Sequence, residues 1–282
     1  MTVKVVTDST SDLPRELADR YGINVIPQKV IFGTEELRDG VDITGDEFYR
    51  RVSGSAVLPT TSQASPGEFR ELYESIADGA DGIVSVHVSA ALSGTVDSAR
   101  SGGEQANIGC GVEVIDSMQA GMGTGLVAIA AARAAMNGGD LQQVVSVAEG
   151  AVGRSETYVL LDTLEYLQKG GRIGKARAML ATLLSIKPMI ILREGIVDEL
   201  GKERTHKKGV ARLRRVTEDF APLEELCVNY TTTPDEARAF AEQLQQLLPD
   251  GTEPLLAQIG PAVGTYTGPA ALGVSLLRAE DD

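Results

Sequence analysis

Apolar residues recur along the chain in two alternating patterns, short continuous runs and helical spacing. The first pair is a strand over 3–7 and a helix over 12–21, the latter opened by a turn carrying Pro14. An extended run over 23–32 follows, then a polar stretch over 40–55 with a short helix near 46–52. Ser65-Pro66-Gly67-Glu68 combines a capping box with proline at the first helical position. It predicts a helix to about residue 78 and leaves Thr61-Ser62-Gln63 in a loop just ahead of it. GIVSVHV at 82–88 is a buried strand, 89–94 a loop, and a helix runs from Thr95 to about 107. A strand over 112–115, helices over 123–137 and 141–151 and a strand over 158–161 continue the rhythm. Strand–loop–helix repetition implies parallel strands with crossover helices.

Beyond about residue 162 the pattern changes. Helices are predicted over 164–169 and 175–184, separated by Gly170-Gly171-Arg172-Ile173-Gly174. Extended segments over 188–192 and 196–198 flank a Glu194-Gly195 turn, a hairpin that a purely parallel sheet would not use. A helix over 206–220, a strand over 226–230, a helix over 234–248 and strands from 255 onward finish the chain. The expected fold is α/β with two domains, 1–160 and 161–282. The first holds a parallel sheet with helices on both faces, the second a mixed or antiparallel sheet with helices.

Composition narrows the partners. A formal net charge of −14 disfavours nucleic acid and anionic membrane surfaces, and with 4% aromatic residues and no Trp the chain is poorly supplied with base-stacking platforms. No apolar run approaches the length of a membrane span, and the start lacks the apolar core of a signal peptide. Cys110 and Cys227 are far apart and form no C-x-x-C motif, so a reduced, cytoplasmic protein is expected. The two histidines, His87 and His206, are distant as well, and no metal-ligand spacing exists.

Three loops carry the candidate chemistry: Thr61-Ser62-Gln63, Ala91-Leu92-Ser93-Gly94-Thr95, and Asp116-Ser117-Met118-Gln119. In parallel α/β sheets ligands gather at such strand ends, and helix N-termini there favour carboxylate or phosphate. On pattern alone, ordinary capping or a turn is the commoner account of any single hydroxyl. GGRIGKA at 170–176 fails as a P-loop because Lys169 stands at the first Gly position and Ala176 at the Ser/Thr position. Gly121-Met122-Gly123-Thr124-Gly125 misses the dinucleotide spacing by one residue. A serine hydrolase using Ser93 with His87 as base is the enzyme alternative, although G-x-S-x-G is absent around Ser93. His87, inside an apolar strand, reads as a satisfied core histidine.

Five segments resemble the DegV family of bacterial fatty-acid-binding proteins, in family order and across nearly the whole chain. They are TDSTSDLP at 7–14, TSQASPGEF at 61–69, SAALSGTVDSAR at 89–100, GGRIGKA at 170–176 and IGPAVGTYTGPAALG at 259–273. The resemblance implies a non-enzymatic carrier, without cofactor or metal, that encloses a long-chain fatty acid (about C14–C18) between or beneath its domains. It would present the carboxylate to a separate fatty acid kinase. It places the carboxylate ligands at Thr61 and Ser93, with Ser62, Gly94 and Thr95 as supporting neighbours. Where the family usually carries His in G-x-H-x-G-P, this chain has Tyr266, which removes a possible cation beside the head group. Arg172 suits a kinase-facing role or that of a solvated loop cation, and the basic run containing Arg204 and Lys207 has the same two readings. Tunnel-wall candidates fall within 179–184 and 188–192, where core packing explains the residues equally well.

Overall fold

The structure, a computed structural model, describes residues 2–54, 57–182 and 186–280. Strand β1 (Val3–Asp8) leads into a 3-10 turn over Ser9–Ser11, which Asp8 caps by accepting from the Thr10 N–H. Helix α1 (Arg15–Tyr21) therefore starts three residues later than predicted, immediately after Pro14. Strand β2 (Ile23–Ile26) runs parallel to β1. The extended run predicted over 23–32 is broken at Pro27, which has no N–H to continue a ladder. Its second half, β3 (Lys29–Phe32), belongs to a small separate sheet with β4 (Glu35–Arg38). After α2 (Gly45–Gly54), β5 (Thr60–Ser62) joins the other edge of β3, giving the antiparallel order β4-β3-β5. Thr61 and Ser62, expected in a loop, thus lie on an edge strand too short to show alternation.

Helix α3 (Pro66–Ile76) carries both halves of the capping box between Ser65 and Glu68. It is followed by β6 (Gly82–His87), α4 (Thr95–Gln105) and β7 (Gly111–Asp116), and the parallel sheet has the order β2-β1-β6-β7. Its strands alternate strictly. Val6 and Ile83 turn toward α3 and α4, while Val5, Val84 and Val86 turn to the opposite face. That face receives α5 (Met122–Met136) and α6 (Leu141–Arg154).

The remaining chain builds a six-stranded mixed sheet. Its elements are β8 (Ser155–Leu160), α7 (Glu165–Lys169), β9 (Lys187–Arg193), β10 (Ile196–Glu203), α8 (His206–Phe220) and β11 (Leu223–Tyr230). Then come α9 (Pro234–Leu244), β12 (Leu255–Gln258), α10 (Pro261–Thr267) and β13 (Leu272–Arg278). The order is β10-β9-β8-β13-β11-β12, and among the described residues β11 and β12 form its parallel pair. The predicted Glu194-Gly195 hairpin joins β9 to β10, with both residues at positive φ, as a tight hairpin turn requires.

Three expectations change here. The helix predicted over 175–184 is a 3-10 helix, Gly174–Thr182; Leu183 and Leu184 lie outside the described residues. Its buried side chains explain the geometry: Ile173, Ala176 and Met179 recur every third residue, the period at which 3-10 side chains align. The helix over 234–248 ends at Leu244 and closes with a 3-10 turn. Strands were expected throughout after 255, yet the two-turn α10 interrupts them, opened by Pro261.

Helix α5 joins the two larger sheets. Every residue from Met122 to Ala132 is buried, so the helix has no solvent face over three turns. It packs on β1 and β6 from one side and on β8, β11 and β13 from the other. Cys227, Ala257 and Leu277 share one core with Val5 and Val84 across it. The far face of the mixed sheet is closed by α8 and α9, with Leu213 and Phe240 against Leu226, Val228 and Leu276.

Candidate functional site

Alternation in β8 and β9 sends Tyr158, Leu160, Met189 and Ile191 toward α8 and α9. Val159, Ile190 and Leu192, with Val197 of β10, are left on the inner face, where α5 lies over β8, β13 and β11. These four apolar side chains floor a cavity. Val88, Leu92 and Ala120, from the loops after β6 and β7, help close it above, and Leu167 of α7 closes one flank. The centre of a water-sized sphere can range over about 130 Å³ of it. The loops at the carboxyl ends of the parallel strands thus meet an internal cavity, as expected for such a sheet.

The mouth gathers five of the residues singled out from sequence. The hydroxyls of Thr61 and Tyr266 meet at 2.5 Å, and Ser93 Oγ lies 2.8 Å from Thr95 Oγ1. Arg172 spans the gap: its guanidinium stacks 5.2 Å above the Tyr266 ring, while Nε donates to the Leu92 carbonyl and Nη1 to that of Gly170. Arg172 thus places a cation from the neighbouring loop over the Tyr266 ring. Two glycines allow this crowding. A Cβ on Gly170 would stand 2.5 Å from Cδ1 of Tyr266, and one on Gly94 would stand 2.6 Å from the amide nitrogen of Gln63.

Ser62 also lines the cavity, although it is exposed. Thr95 is fully buried behind Ser93, and Gly94 caps α4 beside it. Arg204 and Lys207 stand exposed around the start of α8 and are not among the residues lining the cavity. His206 there pairs with Glu236 at 2.7 Å.

His87 does not face Ser93. Its Nε2 lies 2.7 Å from Ser85 Oγ and its Nδ1 2.8 Å from Asp8 Oδ2, with Tyr73 donating to Ser85 at 2.8 Å. This is the bonding order of a serine–histidine–aspartate relay, but Ser85, His87 and Asp8 all have zero exposure and none lines the cavity. A nucleophile sealed under Phe69 and Tyr73 meets no substrate, and Ser93 has no base. The hydrolase alternative is overturned, and His87 is a satisfied core histidine. Burial pushes the Asp8 carboxyl up, but His87, Thr10 and Gln28 together hold it below the usual range.

Sequence reasoning missed a polar wall at the β11 side of the cavity, formed by Thr10, Asp12, Gln28, Thr157, Asn229 and Thr267. Thr157, Ser275 and Asn229 are buried polar residues within strands, and their runs of neighbouring apolar residues were the available signal. Two acids there hold the start of α10: Asp12 accepts from the Gly260 N–H at 2.8 Å and Asp39 from the Ala262 N–H at 3.3 Å. Burial raises the Asp12 carboxyl well above its ordinary range; the Gly260 N–H opposes this, and Asp39 and Asp8 add to it. Burial likewise pushes Asp39 up to about 7 against the bonds from Ser9 and Ala262. Among the described residues, no group of three or more His, Cys, Asp or Glu side chains is arranged to hold a metal ion, and none of their helices is long and apolar enough to cross a membrane.

Comparison with known proteins agrees with this architecture. A DegV domain-containing protein of Streptomyces coelicolor is 37% identical over 276 residues, covering 96% of this chain and 97% of that protein. A DegV family protein from Thermus thermophilus, described as binding fatty acid, superposes with a TM-score of 0.90 at 33% identity, covering 98% of this chain and 99% of its own. A stearic acid-binding protein from Eubacterium ventriosum also superposes with a TM-score of 0.90, at 27% identity, covering 99% and 98%. The family model described as "Uncharacterised protein, DegV family" matches residues 2–279, and this chain belongs to the DegV family.

Proposed function

We propose that this protein binds a long-chain fatty acid of about C14–C18, with its carboxylate at Thr61 and Ser93, and does no bond-breaking chemistry itself. The observation that carries the proposal is an apolar cavity whose mouth offers hydroxyls and one guanidinium but no nucleophile–base pair. A carboxylate suits such a mouth, because hydrogen bonds to a charged group contribute about 1.5–3 kcal/mol net. Burying some fifteen methylenes at about 0.8 kcal/mol each gives roughly 12 kcal/mol as an upper estimate. The cavity supplies most of the affinity, and the mouth selects the head group and fixes its register.

The bound carboxylate is then presented to a separate ATP-dependent fatty acid kinase, which contributes nucleotide, metal and chemistry. Arg172 supports this step. It lies where the cavity meets a shallower opening lined by Ala90, Ala91, Gly94, Gly171 and Ile196, so it can face both carboxylate and partner. Arg204 and Lys207 would extend the basic surface toward an acidic or phosphate-bearing partner. Mass spectrometry of lipid extracted from the purified protein tests the binding step. Near-equimolar C14–C18 fatty acid is expected, and protein that carries none and takes up no added palmitate or oleate overturns the proposal.

A further inference from the structure

A cavity built only for a hydrocarbon chain needs no polar wall. Among the described residues, the buried side-chain polar atoms that lack a hydrogen-bond partner include Asp12 Oδ2 and Asn229 Oδ1, both of cavity-lining residues. Asn229 is 4% exposed, so bulk water does not satisfy it. Strand register locates this wall. Val197 on β10 lies at the Arg172 opening, and the sheet order runs β10-β9-β8-β13-β11, placing Asn229 four strand spacings away, about 19 Å. Asp12 is at the same end, bonded to Gly260 just after β12. Asn229 is itself held in place, its Nδ2 donating to Ser275 Oγ at 2.9 Å, which leaves its carbonyl oxygen as a fixed, unused acceptor.

We infer that the β11 end of the cavity is a subsite for a hydroxyl group carried on the acyl chain, so that the protein takes long-chain hydroxy fatty acids, recognised by Asn229 and Asp12. A hydroxyl suits this pair because it donates and accepts at once. It donates to Asn229 Oδ1. It accepts from Asp12, whose burial favours the protonated carboxyl, the form that presents an O–H. The inference rests on the fatty-acid reading of the cavity, and it predicts dependence on position. A hydroxyl far along the chain reaches the wall, whereas one beside the carboxylate stays at the mouth.

Calorimetric titration of the delipidated full-length protein with stearate, 12-hydroxystearate and 3-hydroxystearate separates the two ideas. The wild type is expected to bind 12-hydroxystearate at least as tightly as stearate. The Asn229→Leu variant is expected to disfavour 12-hydroxystearate relative to stearate ten-fold or more, the effect of a buried hydroxyl without a partner. The ratio between 3-hydroxystearate and stearate should be the same in both proteins. If the wild type binds stearate but disfavours 12-hydroxystearate ten-fold, the subsite is overturned, water satisfies the wall, and the carrier function stands. If the wild type binds none of the three acids, both fall. The wild-type comparison decides the question even if the variant does not fold.

Discussion

Tyr266 and Thr61 are 205 positions apart, yet their hydroxyls meet at 2.5 Å across the mouth of the cavity. The bond links α10 to β5, an edge strand that pairs with β3 alone. Tyr266→Phe keeps the ring beneath Arg172 and removes only this hydroxyl. Palmitate affinity should fall about two- to ten-fold, the range of one net hydrogen bond. Calorimetry reads this directly, and unchanged affinity would remove the hydroxyl from the head-group site.

Replacing both Thr61 and Ser93 by Ala should weaken fatty-acid binding moderately, because the apolar floor is untouched. The melting temperature should stay within a few degrees of wild type, since both side chains are only partly buried. Kinase-dependent acyl-phosphate formation is the sharper readout. Wild-type turnover in the double variant would show that the carboxylate is held elsewhere.

Gly170→Ala tests the arrangement of the Tyr266 ring without touching a hydroxyl. Gly170 already has helical backbone angles, so alanine brings no backbone strain there. Its methyl group would nevertheless collide with the ring edge. Overpacking of this kind costs about 1–3 kcal/mol. Weaker palmitate binding is expected, with loss of the Arg172 stacking in a crystal structure of the variant.

His87→Leu strips the buried Asp8 carboxylate of its principal partner. Leaving a buried carboxylate oxygen without its hydrogen-bond partner costs about 1–3 kcal/mol or more, so chemical denaturation should show a clear loss of stability. A fluorophosphonate probe should label neither Ser85 nor Ser93 in the wild type. Labelling at either position would reopen the hydrolase question.

Asp39 makes stability depend on pH in a definite sense. A carboxyl whose folded pKa is raised holds its proton more tightly in the folded state. Its contribution is therefore complete below about pH 4 and is lost as pH rises through about 7. The window corresponds to at most about 4 kcal/mol. Urea titrations at pH 5 and pH 8 should show a steeper decline for wild type than for Asp39→Asn, which keeps an acceptor for the Ala262 N–H. Equal slopes would mean that Asp39 does not titrate in this range.

Much of the core was legible because its signals are local and periodic. The capping box at Ser65, the buried run before His87 and the turn at Glu194-Gly195 each specify an element from neighbouring residues alone. What was missed depends on distant partners. Strand β5 exists because β3 is there to pair with it, and three residues carry no period. The 3-10 segment after Gly174 has a clear three-residue spacing, which reads as a loose helix until its floor is known. At the site, family resemblance pointed to Thr61, Ser93 and Tyr266, and Arg172 was noticed as an isolated cation. Its stacking on Tyr266 depends on a loop-to-loop contact between residues 94 positions apart, which no local pattern encodes.

Helix α5 has one more consequence. It works as a shim whose thickness sets how far apart the two larger sheets stand. Its small side chains, mostly Ala and Gly between Gly123 and Ala132, keep that spacing narrow. The residues just before it, Ala120 and Gly121, belong to the cavity wall. A bulkier residue in α5 would wedge both sheets at once and raise the ceiling over the floor. The bore of the cavity, and with it the shape of chain it accepts, can therefore be retuned from positions that never touch a ligand.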